Sequence, residues 1–173
     1  MKPIIFLDIE GIIITQYGLD DALKTKGETH DNDGLAYFCP QACEHVGRLI
    51  EHYDTDVVII SALRNRLKDV ETSKKIFKER GLKWNIIDFT PSLKGASHGL
   101  EILKWMQNNY IPKKYLILDA DEGINEYFTT QAITVEGLSG FADRKLYRKA
   151  MNILKKDADV IIKKVKETEK KLF

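Results

Sequence analysis

Three apolar runs, each stopped by an acid or a hydroxyl, constrain this chain more than any other feature. Pro3-Ile4-Ile5-Phe6-Leu7 stops at Asp8, Val57-Val58-Ile59-Ile60 at Ser61, and Tyr115-Leu116-Ile117-Leu118 at Asp119. A strand with one wet face alternates apolar and polar residues, whereas a strand apolar at every position is buried on both faces, as in a parallel sheet covered by helices. Helical patterns lie between the runs. Pro40 opens one in which Ala42, Val46, Leu49 and Ile50 recur at helical spacing to about Tyr53. Residues 64–80 are rich in helix formers and stop at Gly81, and Leu100, Leu103, Trp105 and Met106 share a helix that ends before Pro112. Weaker strands are expected at 84–89 and 132–135. Strands alternating with helices predict an α/β fold in three layers around a mostly parallel, five-stranded sheet.

The 173 residues suit one domain, expected to span 1–173, and no Pro/Ser-rich linker or internal repeat divides them. Hydrophobic residues make up 43% and charged residues 31%, which excludes a disordered tail and a membrane protein. The 27 Lys and Arg against 26 Asp and Glu leave a formal charge of +1, so any polyanion must be met locally rather than through a global field. Two cysteines, Cys39 and Cys43, are too few for a disulfide framework, and no secretory signal precedes the first run, so a cytoplasmic location is expected. The polar stretch 16–32, with Gly18 and Gly27, reads as a surface loop or small hairpin. A long helix is expected from about 141 to 172, and its charged end, 163–171, is a possible surface for a protein partner.

In an open parallel sheet, ligands bind beyond the carboxyl ends of the strands. Asp8, Glu10, Ser61, Asp119 and Asp121 stand at such ends, with Lys94 and His98 in the loop after the weaker strand at 84–89. Two carboxylates about 4 Å apart repel by roughly 4 kcal/mol at an effective dielectric of 20, so a crowd of them implies a cation. Oxygen donors select a hard ion, Mg²⁺ ahead of Ca²⁺ or Mn²⁺. A hard ion beside a hydroxyl and a basic side chain suits a phosphoryl group.

The strand ending in Asp8-Ile9-Glu10-Gly11, the one ending in Ser61, the basic loop, and Leu116-Ile117-Leu118-Asp119-Ala120-Asp121 resemble the four ordered motifs of the haloacid dehalogenase-like (HAD) phosphohydrolases. Thr90-Pro91, Gly99-Leu100-Glu101-Ile102-Leu103-Lys104-Trp105 and Gly137-Leu138 are similar to a smaller branch, the HAD domain of Swiss Army Knife RNA repair proteins. The resemblance implies a Rossmann-like core and a Mg²⁺-dependent phosphatase. Asp8 would attack phosphorus to form an aspartyl-phosphate, and Glu10 would serve as general acid and base. Ser61, with Lys94 or His98, would bind the phosphoryl oxygens. Asp8, the Glu10 main-chain carbonyl, Asp119 and Asp121 would hold Mg²⁺. The short interval between Gly11 and Pro40 leaves room for a flap but no large cap, so the site is expected to be open to a small phosphomonoester or a polynucleotide end.

Three positions depart from the pattern. Glu10 replaces an Asp, His98 stands where the branch tends to have Arg, and Ala120 interrupts a paired acidic motif. These departures motivate an alternative, a weakly active or inactive phosphate- or Mg²⁺-binding module with a regulatory or assembly role. A receiver-like switch fits poorly, because its acceptor Asp is expected after a central strand, where this chain has Ser61. Cys39, Cys43 and His45 lack zinc spacing. The remaining histidines, His30 and His52, read as surface or packing residues along with His45, and Trp84 and Trp105 as core. Neither a GxxxxGK loop nor a GxGxxG fingerprint is present.

Overall fold

A computed structural model of the chain describes residues 1–135 and 138–158. In chain order it contains β1 (Ile4–Leu7), α1 (Gln16–Lys26), α2 (Pro40–Tyr53), β2 (Asp56–Ile59), α3 (Arg64–Leu67), α4 (Val70–Glu79), β3 (Ile86–Phe89), α5 (His98–Asn108), β4 (Tyr115–Asp119), β5 (Ala132–Thr134) and α6 (Arg144–Leu154). Short 3-10 turns occupy Glu122–Glu126 and Gly140–Ala142. All pairings are parallel, in the order β3-β2-β1-β4-β5. This is the expected three-layer α/β fold, with strand order reversing at β1.

The apolar runs fill both faces of the sheet. Ile5, Leu7, Val57, Ile59, Leu116 and Leu118 point to one side, where Val46 and Leu49 of α2, Phe77 of α4 and Ala150 and Leu154 of α6 cover them. Ile4, Phe6, Val58, Tyr115 and Ile117 point to the other, against Ile102, Leu103, Trp105 and Met106 of α5 and Phe128. Trp84 and Trp105 are core, as expected, and the Trp105 indole N–H donates to Asp88 at 2.7 Å. His45 is a packing residue: its Nδ1 donates to the Phe141 carbonyl at 2.9 Å and its ring stacks on Tyr147.

Residues 16–26, read above as a loop or hairpin, form a helix. Thr15 caps it by accepting the Gly18 N–H at 3.0 Å, and Gly27, at φ 78°, stops it. The misleading signal was Gly18, which serves close packing rather than a turn, since a Cβ there would lie 2.9 Å from Cα of Cys39. The single helix expected over 64–80 is broken. Lys68 takes φ 65°, and Asp69 restarts the helix by accepting the Thr72 N–H at 2.7 Å. The expected helix over 141–172 begins instead with a 3-10 turn, with α6 following. Its charged end, like Gly137, lies outside the described residues.

Between β1 and α2 the chain contributes α1 and a loop, with no folded cap. Arg80 ties that loop down, pairing with Asp31 and donating to the carbonyls of Leu35 and Ala36. None of the described helices is long and apolar enough to cross a membrane.

Candidate functional site

The register of the two central strands determines what can meet. Leu7 pairs with Leu118, and the Asp8 N–H donates to the Leu118 carbonyl at 2.9 Å, so Asp8 and Asp119 leave the sheet side by side. Both are buried, Asp119 completely. Asp8 Oδ1 accepts the Ile9 N–H at 2.7 Å and Asp119 Oδ1 the Asp121 N–H at 2.9 Å. His98, at the start of α5, brings Nδ1 to 3.0 Å from Asp119 Oδ2. One ligand atom from each of Asp8, His98 and Asp119 lies within 4.8 Å of the others.

Burial and then the Asp119 charge push the Asp8 carboxyl up to about 7, against the opposing pull of His98. His98 is raised in turn, chiefly by its hydrogen bond to Asp119. The two acids are thus crowded enough to hold a proton unless a cation neutralises them.

Ser61, the second residue beyond β2 and fully buried, donates its hydroxyl to Oε2 of the exposed Glu10 and accepts the Leu63 N–H at 3.1 Å. Glu10 is placed by a tight turn in which Gly11 takes φ 76° and its N–H reaches the Ile14 carbonyl at 2.8 Å. Glycine is required here twice over, because a Cβ would also lie 2.6 Å from the Ala120 Cβ. A buried acid pair on adjacent strands and a carboxylate–hydroxyl pair thus stand at the carboxyl ends of β1, β4 and β2. The family model for the HAD domain in Swiss Army Knife RNA repair proteins matches residues 4–146.

The chain belongs to this family.

HAD domains are phosphohydrolase-type folds that generally use Mg²⁺. No curated protein and no solved structure matches the chain. The donor set fits the ion, since two buried carboxylates converge, with Asp8 raised by burial and then by the Asp119 charge.

The other anticipated residues are placed less centrally. Asp121 is exposed, and its carboxylate caps the following 3-10 turn by accepting the Gly123 N–H at 2.9 Å, so the acid group does not include it. The Glu10 carboxylate is engaged with Ser61 and also lies outside that group. Lys94 is exposed on the loop before α5 and forms no ion pair among the described residues. His98, anticipated as a phosphate ligand, joins the two acids instead.

One polar cluster escaped the sequence reading. Arg64 and Glu101 form a buried pair at 2.7 Å. Arg64 also donates to the carbonyls of Ile60 and Ser61, at 2.9 and 3.2 Å, while Glu101 accepts the Leu93 N–H at 2.9 Å. The pair joins the Ser61 loop, the Lys94 loop and the helix that starts at His98. The 37-residue separation gives no local signal; the only hint is a lone acid among the apolar residues Leu100, Ile102 and Leu103.

Proposed function

We propose that the chain is a Mg²⁺-dependent phosphomonoesterase that works through an aspartyl-phosphate on Asp8. The observation that carries this reading is the buried, paired placement of Asp8 and Asp119 beside Ser61 and Glu10 at the sheet's switch point. Asp8 Oδ1 is occupied by the Ile9 N–H, which leaves Oδ2 for in-line attack on phosphorus. As that O–P bond forms, the bond to the leaving oxygen breaks, and Glu10 delivers its proton to that oxygen. The Glu10 carboxylate then takes a proton from water, the water oxygen bonds to phosphorus, and the acyl-phosphate bond of Asp8 breaks to release phosphate. Ser61 turns its hydroxyl from Glu10 to a phosphoryl oxygen, with the balancing positive charge supplied by His98, beside the two acids, or by Lys94 from the loop before α5. Asp8, Asp119 and the Glu10 main-chain carbonyl would hold Mg²⁺, with Asp121 directly or through water, and the bound ion would neutralise charge on the phosphoryl oxygens. Without a folded cap, the mouth admits a phosphate on a large molecule such as a nucleic-acid end, as well as small phosphomonoesters.

A second reading, a phosphate- or Mg²⁺-binding module without turnover, draws support from the Ser61 hydroxyl being already engaged by Glu10. Phosphate release from p-nitrophenyl phosphate with Mg²⁺ separates the two. The parent chain is expected to turn over and Asp8→Asn to lose activity. Equal inertness of both across several metals and substrates, with Mg²⁺ still bound, would favour the module.

A further inference from the structure

The described part of α6 and the two residues after it carry six exposed cations, Arg144, Lys145, Arg148, Lys149, Lys155 and Lys156, with no acid between the first and the last. At about 100° per residue the four within the helix, Arg144, Lys145, Arg148 and Lys149, occupy one face opposite the buried Ala150 and Leu154, and Lys155 and Lys156 follow at its end. Two other helices pair cations within themselves: Arg48 pairs with Glu44 on α2, and on α4 Lys74 pairs with Glu71 and Lys75 with Glu79. Helix stability does not account for the difference, because Arg144 and Lys145 stand in the first turn, where the macrodipole disfavours positive charge.

The position of this face adds to its composition. The Phe141 N–H donates to the Ile12 carbonyl at 3.0 Å, and a Cβ on Gly140 would lie 2.8 Å from the Gly11 carbonyl, so the segment leading into α6 rests on the turn that carries Glu10. Arg144 follows Phe141 by three residues, at most about 11 Å of chain. The far end of α6 lies at the opposite, amino-terminal ends of the strands, where Lys114, just before β4, donates to the Lys155 carbonyl. The cations therefore run from the mouth of the site down the side of the molecule. Beside their start, Tyr17 and Leu138 are each 57% exposed and are joined by a Tyr17 N–H to Leu138 carbonyl bond of 3.1 Å. Tyr17 also edges a hollow of about 510 Å³ that includes Gln41 and Ser139. Asp21 and Asp143 line that hollow too, which suits it to an uncharged base rather than to a phosphate.

We infer that α6 and Tyr17 form a binding surface for a single-stranded nucleic acid, the backbone lying along the six cations and a base stacking on Tyr17. An aromatic platform beside a basic track is the combination that holds a single strand. The surface rests on the phosphatase reading only for what happens to the strand's phosphorylated end; binding itself requires no turnover.

The test is fluorescence anisotropy with a labelled single-stranded RNA over a range of salt concentrations, using the parent, Arg148→Glu/Lys149→Glu and Tyr17→Ala. The double substitution is expected to weaken binding at least about tenfold and to flatten the slope of log affinity on log salt by about 1.4, at roughly 0.7 per lost contact. Tyr17→Ala should weaken binding with the slope unchanged, and it remains decisive if circular dichroism shows the double variant unfolded. Absence of parent binding at low salt, or equal binding by parent, Tyr17→Ala and a folded double variant, would overturn the inference. So would displacement of RNA by polyglutamate as readily as by unlabelled RNA, which would point to an acidic protein. Turnover of p-nitrophenyl phosphate by the parent, scored separately, decides the phosphatase reading whichever way the strand behaves.

Discussion

Asp8 and Glu10 are two residues apart yet face opposite electrostatic problems. Asp8 is buried beside Asp119 and raised to about 7, so the folded protein holds a proton there that the unfolded chain releases near its ordinary 3.8. Where the native state binds more protons, stability falls as pH rises, so the metal-free protein should lose stability from about pH 4 to above pH 7. His98, also raised, adds a loss of the same sign as pH passes through its folded pKa. Mg²⁺ should therefore raise the melting temperature more at pH 8 than at pH 5, and Asp8→Asn should reduce that difference; a Mg²⁺ shift independent of pH would contradict the crowding of the two acids. Glu10 is exposed and reaches the Ser61 hydroxyl across the mouth. Glu10→Asp, shorter by about 1.5 Å, should free that hydroxyl and maintain or increase kcat. A large loss would show that the longer side chain is fitted to this site. Gly11 illustrates why a residue can be legible while its reason is not. The turn after Asp8 was evident from the glycine and the acids, but the contact with Ala120, which requires the missing Cβ, is a tertiary fact.

At the scale of elements, β1, β2 and β4 were legible because the runs 4–7, 57–60 and 115–118 are continuously apolar, and the sheet's parallel sense followed from that. The helices were less so. Only Gly18 and Ala22 of α1 are buried, too few for a helical stripe, and the break at Lys68 is marked in sequence only by the capping residue Asp69. The Arg64–Glu101 pair was invisible because it is made between α3 and α5. A buried pair contributes little net stability over apolar replacements, but removing one partner strands the other charge. Arg64→Met alone should cost roughly 3–5 kcal/mol in urea unfolding, and Arg64→Met combined with Glu101→Leu should recover most of it. If the double variant lost as much as the sum of the singles, the two side chains would not be acting as a pair. Because the same pair joins the Ser61 loop to the helix that starts at His98, the double variant is expected to recover stability without recovering phosphate affinity.

For the whole molecule, the net charge of +1 conceals a separation. Acids gather where the strands end and cations where α6 is exposed, a division read in sequence as acids after the apolar runs and lysines late in the chain. The cysteines give a global probe of the fold. Cys39 and Cys43 are both buried, and burial pushes the Cys43 thiol up to about 12. Thiolate is scarce in the native state at pH 8, so alkylation should track unfolding in denaturant; rapid labelling of Cys43 in native protein would mean that the packing of α2 against the sheet is open. The central claim is that Asp8 accepts the phosphoryl group. Fluorine-19 NMR with beryllium fluoride tests it most directly: the parent should show a bound resonance that requires Mg²⁺ and is absent in Asp8→Asn, and a bound resonance identical in both would contradict it.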